Sequence, residues 1–194
     1  MISVYAKEGL DTIIQQLHQL GVQIYSTGGT AQYIADLGVE VHAVEDLTGY
    51  PSILGGRVKT LHPKVFGGIL GRRNLQQDVA QMEEFDIPAL DLVIVDLYPF
   101  AETLKQTNDV AEIIEKIDIG GVSLIRAAAK NFQDVLVVAS KSDYKNLLDI
   151  LITQNGMSSL AQRKNFAANA FQITTHYDSA IATYLSGDNK QAFF

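Results

Sequence analysis

The sequence predicts an α/β fold: a mainly parallel sheet flanked by helices, with additional helices toward the C-terminus. Three observations predict it. Apolar runs of strand length alternate with stretches of helical periodicity. The tripeptide Leu-Gly-Val occurs twice, at Leu20–Val22 and Leu37–Val39, each time between a helical stripe and a strand-sized run. Finally, Leu92 to Val95 is continuously apolar, as suits a central strand covered on both faces.

In chain order, Ile2–Tyr5 reads as a short strand. Leu10, Ile13, Ile14 and Leu17 then recur at helical spacing, and Gly21 stands where a left-handed helix cap belongs. Val22–Tyr25 reads as a second strand. A second helix carries Tyr33, Ile34 and Leu37 on one stripe and stops at Gly38, before a third strand at Val39–Val41. Two successive αβ units of this kind imply parallel strands joined by right-handed crossovers. Residues 43–73 show no clear periodicity, and an irregular stretch of that length inside a compact domain is usually functional or disordered. A helix at Gln76–Phe85 precedes the strand within Leu90–Leu97. Helices are expected at Ala101–Gln106, at Val110–Lys116 and from Gly121 to Lys130, with a strand at Leu136–Val138. Asp143–Leu151 and Ser159–Leu185 complete the pattern as helices, the last long enough to invite a break.

Composition narrows the function. A chain of 194 residues with 47% hydrophobic content suits one large domain, and a net charge of −7 argues against general nucleic-acid binding. With no cysteine there is no disulfide, thiol nucleophile or cysteine–zinc site. Apolar runs are strand-sized and Lys7 and Glu8 interrupt the N-terminus, so neither a membrane span nor a signal peptide is expected. The expectation is a soluble cytoplasmic protein.

Against that acidic background one segment stands out. From Leu47 to Gln77 there is no Asp or Glu, while Arg57, Lys59, Lys64, Arg72 and Arg73 are all present. Within it, Gly55 to Leu70 places two glycine pairs around cations, Thr60, His62 and Pro63. Glycine permits close backbone approach or positive φ, and proline pushes its predecessor toward extended geometry, so an ordered anion-binding loop is expected rather than a helix. The second candidate is Ser26, Thr27, Gly28, Gly29 and Thr30. Following a strand and opening a helix, it offers backbone N–H groups and hydroxyls to a phosphate, although such a sequence also makes a plain capped turn. Ligands of open parallel sheets bind beyond the carboxyl ends of the strands, where Lys7, Ser26–Thr30 and Tyr98 all fall.

At about 100° per residue, Leu124, Ile125, Ala128 and Ala129 share one side of the helix opened by Gly121. Ser123, Arg126 and Lys130 lie opposite, on a polar face that reads as readily as solvated surface. On pattern alone Asp118 is a turn or cap residue. The four histidines show no metal spacing; His62 alone sits among other candidates, where it could orient the loop by hydrogen bonding.

Ser-Thr-Gly-Gly-Thr, Gly-Arg-Val-Lys-Thr-Leu-His-Pro-Lys, Leu-Tyr-Pro-Phe, Ile-Asp-Ile-Gly-Gly and Arg-Ala-Ala-Ala-Lys-Asn together resemble the IMP cyclohydrolase domain of bifunctional purine-biosynthesis proteins. In that family the domain is fused to an AICAR formyltransferase. The resemblance runs from Ile2 to Leu185. It implies a methylglyoxal-synthase-like fold and closure of the purine ring: 5-formamidoimidazole-4-carboxamide ribotide (FAICAR) loses water to give IMP, without cofactor or metal. It further implies a phosphate site of Ser26, Thr27, Gly28, Gly29 and Thr30 with Ser3 and Lys7, and a substrate loop of Arg57, Lys59 and Thr60. Lys59, Tyr98, Asp118 and Lys130 are the implied catalytic groups, with Gly120 and Gly121 offering backbone contacts. A homodimer and an AICAR formyltransferase, as partner or fused domain, are the implied associations.

Three positions depart from the family pattern. Tyr5-Ala6 replaces a more polar pair, Asp96 an asparagine, and Phe66 a histidine. An ionised Asp96 accepts hydrogen bonds but cannot donate them. The chain ends at Phe194, where the family continues into the formyltransferase, and Ala192-Phe193-Phe194 would be odd as a free apolar tail, docking against a partner being one explanation. The rival readings are a methylglyoxal-synthase-type lyase and a non-catalytic nucleotide sensor of the same fold.

Overall fold

The computed structural model describes residues 1–187. The chain runs β1 (Ile2–Ser3), α1 (Leu10–Gln19), β2 (Tyr25–Ser26), α2 (Gly28–Asp36), β3 (His42–Ala43), α3 (Val44–Thr48), α4 (Pro63–Leu70) and α5 (Gln76–Glu84). It continues through β4 (Leu92–Val95), α6 (Phe100–Gln106), α7 (Val110–Glu115), α8 (Gly120–Lys130), β5 (Leu136–Val138), α9 (Tyr144–Thr153) and α10 (Leu160–Ser186). The five strands form one parallel sheet in the order β3-β2-β1-β4-β5. Ile2 pairs with Ser26 on one side and Ile94 on the other, so the carboxyl ends of β2, β1 and β4 lie side by side.

The two Leu-Gly-Val junctions are the same helix-ending device. Gly21 (φ 69°) and Gly38 (φ 74°) take the left-handed conformation. At the first, the amides of Gly21 and Val22 bond back to His18 and Leu17, both at 3.0 Å; at the second, Gly38 and Val39 bond to Ala35 and Ile34. These paired returns are Schellman caps. They also explain why the strands start later than expected: each valine amide is committed to the preceding helix, and β2 and β3 begin at Tyr25 and His42 instead of Val22 and Val39.

β4 is buried as the apolar run requires, with Val93, Ile94 and Val95 at most 1% exposed. On α8 the expected face, Leu124, Ile125, Ala128 and Ala129, is buried against β4, β5 and α10. Each such buried aliphatic side chain of Leu or Ile size contributes roughly 1.5–3 kcal/mol. α10 is one uninterrupted helix, started by a capping box between Ser159 and Gln162. Ala192, Phe193 and Phe194 lie outside the described residues.

The basic segment departs from expectation in its second half. Pro63 begins α4 rather than extending the loop, because a first-turn proline gives up an N–H that has no helical partner. His62 caps that helix, its Nδ1 accepting from the Lys64 amide at 3.1 Å. The glycine pair Gly67–Gly68 serves packing, not ligand approach: a Cβ on Gly68 would stand 2.4 Å from the Pro88 carbonyl. Only the first pair bends the chain, with Gly55 and Gly56 at φ 65° and 85°.

Candidate active site

Beyond the ends of β2, β1 and β4 lies a cavity of about 550 Å³, within the range of small-ligand sites. Ser3, Lys7, Thr27, Gly29 and Thr30 line one side; Arg57, Lys59 and Thr60 another; Asp96, Tyr98, Asp118, Gly120 and Gly121 the third. Three sequence-distant motifs thus meet in one place.

At the first side, Thr27 is the N-cap of α2 but makes no side-chain cap bond. Its hydroxyl is 2.6 Å from that of Ser3. The first amides of α2 are therefore left without a side-chain cap, which suits an anion. Lys7 folds back, its ammonium donating to the carbonyls of Val4 and, at 3.2 Å, Tyr5. Burial lowers the Lys7 pKa and the charge of Asp96 opposes that shift. Asp96 accepts the amides of Tyr5 and of Ala6, the latter at 2.9 Å. The unusual carboxylate thus ties down the unusual Tyr5-Ala6 pair. Burial pushes Asp96 up, against those two amides and Lys7.

The second side is the loop. The Lys59 ammonium sits by the start of α2, where a Cβ on Gly28 would come within 3.3 Å of Nζ. A cation beside a helix N-terminus adds like to like, an arrangement that an anion between them would relieve. Among the described residues the Lys59 side chain has no hydrogen bond or ion pair. The three arginines of the segment are paired: Arg57 with Glu115, Arg72 with Asp78 at 2.8 Å and Arg73 with Asp91 at 2.6 Å. Arg72 holds the Asp78 carboxyl down at about 2. Thr60 is buried against the start of α8, where a Cβ on Gly120 would meet its hydroxyl at 2.8 Å.

At the third side, the Gly121 amide donates to Asp118 Oδ1 at 2.6 Å. Burial raises the Asp118 pKa above the ordinary carboxylate value; the amides of Gly121 and Tyr98 oppose this, and Asp96 adds to it. Burial, then the charges of Asp118 and Glu115, push the Tyr98 phenol up. Tyr98 meets Tyr5 edge-on at 5.7 Å, and the Lys116 ammonium lies 5.6 Å and 5.8 Å from the two rings.

Several expected residues are placed otherwise. Lys130 does not join the cavity. It ends α8, ten residues and about 15 Å from Gly120 at 1.5 Å per residue. There it lines a separate apolar cleft with Phe66, Phe132 and Phe171. The Ser26 hydroxyl is buried and donates to the Ile2 carbonyl at 2.7 Å, joining two strands. The Thr30 hydroxyl is used on Val4, donating to its carbonyl at 3.0 Å and accepting its amide at 3.2 Å. Gly28 does not line the cavity but lies under Lys59. Arg126 rests over Phe171 at 5.3 Å, and His42 stacks on Tyr25 at 5.3 Å. Glu115, which pairs with Arg57 and lines the cavity, escaped the sequence reading because nothing local links it to a loop 58 residues away.

Among the described residues no three His, Asp or Glu side chains cluster as for a metal, and no helix is long and apolar enough to cross a membrane. Parallel strands ending in hydroxyls, helix amides without a side-chain cap and a lysine without an ion pair thus line one cavity of an α/β domain. The chain belongs to the MGS-like domain family, whose model matches residues 9–123. Residues 128–194 match a second family, the AICARFT/IMPCHase bienzyme. The chain is 59% identical over 193 residues to the bifunctional purine biosynthesis protein PurH of Bacteroides thetaiotaomicron, covering 100% of this chain and 38% of that protein. It is 47% identical over 186 residues to PurH of Acetivibrio thermocellus, covering 95% of this chain and 36% of that protein. The chain therefore spans well under half the length of these relatives. The crystal structure of ForH superposes with a TM-score of 0.81 at 35% identity, covering 94% of this chain and 97% of ForH.

Proposed function

We propose that the chain is an IMP cyclohydrolase that closes the purine ring of FAICAR with loss of water. The observation that carries this reading is the meeting of Thr27, Lys59 and Asp118 around one cavity, in a chain so similar to bifunctional PurH proteins. The phosphate lies at the start of α2, held by Ser3, Lys7, Thr27 and the Gly29 amide. The ring substituents then reach Lys59, Tyr98 and Asp118.

Both reacting groups belong to one molecule, so the site's task is to hold the conformer in which they touch. The carboxamide nitrogen attacks the formyl carbon; a C–N bond forms and negative charge develops on the formyl oxygen. Lys59, cationic and unpaired, stabilises that charge. Asp118 accepts the proton lost by nitrogen, its raised pKa making it a better base than an exposed carboxylate. Tyr98, adjoining Asp118, passes that proton to the formyl oxygen. The former formamide nitrogen then gives up its own proton to the same oxygen through the site, so that a C=N bond forms as the C–O bond breaks and the oxygen leaves as water. Lys130 has no part in this set within one chain. Residues 1–194 act as one cyclohydrolase domain, without metal or cofactor. It works in the cytoplasm as a homodimer, fed by an AICAR formyltransferase that is fused or separate.

Incubation with FAICAR and detection of IMP by absorbance tests the reading. Turnover is expected in the wild type and nearly abolished in Lys59→Ala. Tight IMP binding without turnover would replace the proposal by a nucleotide sensor. Methylglyoxal from a triose phosphate would replace it by a lyase.

A further inference from the structure

The cavity is lined by residues between Ser3 and Leu124, yet the turn that presents Asp118 is held from α10, far along the chain. The hydroxyl of Tyr177, on α10, donates to the Lys116 carbonyl at 2.6 Å and accepts the Asp118 amide at 2.9 Å. One phenol thereby brackets the three-residue turn on both sides. Its ring meets Phe100 edge-on at 6.2 Å. Phe100 is buried, and its amide bonds to the Tyr98 carbonyl at 2.8 Å. Tyr177 therefore touches both segments that carry the reaction end of the site, 116–118 by hydrogen bonds and 98–100 through an aromatic contact.

The turn needs such a support. Asp118 is largely buried with only amide donors on its carboxylate, and Lys116 places its ammonium against Tyr98 and Tyr5. A backbone shift at 116–118 would move both side chains at once. Burial pushes the Tyr177 phenol up to about 12, so it remains a hydroxyl able to donate and accept together. The MGS-like match stops at residue 123, whereas Tyr177 lies in the segment matched by the bienzyme family.

We infer that Tyr177 is a positioning residue for ring closure, and that α10 sets the Asp118–Tyr98 geometry through it. This rests on the cyclohydrolase reading for its chemistry but not for its structural content. The test compares Tyr177→Phe with Tyr184→Phe in the full chain. Tyr184 packs on the same Phe100 ring, at 6.0 Å, but its hydroxyl makes no hydrogen bond among the described residues. In Tyr177→Phe, kcat is expected to fall about tenfold or more, because small misplacement of a reacting group costs up to about 10²-fold. KM for FAICAR should stay within about twofold, since the phosphate end is untouched. The acid limb of the kcat profile should move to higher pH as the shifted Asp118 carboxylate loosens from the Gly121 amide that holds its pKa down. Exchange of the Asp118 amide should quicken roughly tenfold, the equivalent of one net hydrogen bond. Tyr184→Phe should match the wild type in all four.

An unchanged kcat in Tyr177→Phe, or equal losses in the two variants, overturns the inference. Should the wild type make no IMP, the cyclohydrolase reading fails separately. Amide exchange then decides the positioning claim, and unchanged exchange at Asp118 rejects it.

Discussion

Gly121→Ala offers a sharp test of whether the site depends on the exact seat of Asp118. A Cβ at Gly121 would lie 2.6 Å from Asp118 Oδ2 and 2.9 Å from Oδ1 and Cγ. Restoring ordinary contact requires the carboxylate to retreat by about 0.8 Å, which breaks the 2.6 Å bond from the Gly121 amide. Losing a hydrogen bond to a charged group costs about 1.5–3 kcal/mol. Against this, Gly121 lacks a positive φ, and alanine is favoured over glycine by up to about 1 kcal/mol in a helix. The net destabilisation is about 0.5–2 kcal/mol, a fall in Tm of roughly 1–8 °C for a chain of this size. The fold should survive, while kcat falls about 10- to 100-fold because the proton acceptor has moved. Thermal unfolding and the IMP absorbance assay, run on one preparation, measure both. A variant with wild-type kcat would refute the assignment of Asp118. A Tm loss far beyond this range would refute the local steric argument.

Thr27→Val removes one hydroxyl of the phosphate end; IMP affinity should drop roughly 10- to 100-fold, from about 1.5–3 kcal/mol for a hydrogen bond to a charged group. A titration isotherm matching the wild type would count against that end of the cavity. Asp118→Asn should lose turnover yet melt no lower than wild type near neutral pH. The sign follows from burial: with its folded pKa raised, Asp118 contributes stability below its unfolded pKa and loses that contribution as pH rises through the folded value. The variant's advantage in Tm should therefore shrink toward acid pH, and a lower Tm at neutral pH would contradict the argument.

Local signals read well here because their physics is local. A glycine closing an apolar helical stripe means a left-handed cap, and both Leu-Gly-Val junctions are Schellman caps. The polar face of α8 was correctly separated from its buried face, with Arg126 and Lys130 exposed. Reading failed where one residue type serves two purposes. Gly67 and Gly68 resemble a ligand loop but make room for Ile87 and Pro88, and Pro63 starts a helix as well as it ends one. Ser26 and Thr30 carry the right hydroxyls but use them on neighbouring backbone.

From the sequence alone came the alternation of strands and helices, the apolar faces and the motifs whose order resembles the cyclohydrolase domain. These rest on spacings of a few residues, which the backbone imposes on any chain that adopts those elements. Tertiary structure alone decided which motifs share a cavity. Adjacent parallel strand ends bring Thr27 and Tyr98 together, whereas the rigid length of α8 carries Lys130 away from Asp118. It also decided that Tyr177, with no local signal, would hold the turn of Asp118, because a contact across 59 residues depends on how helices pack, not on any periodicity.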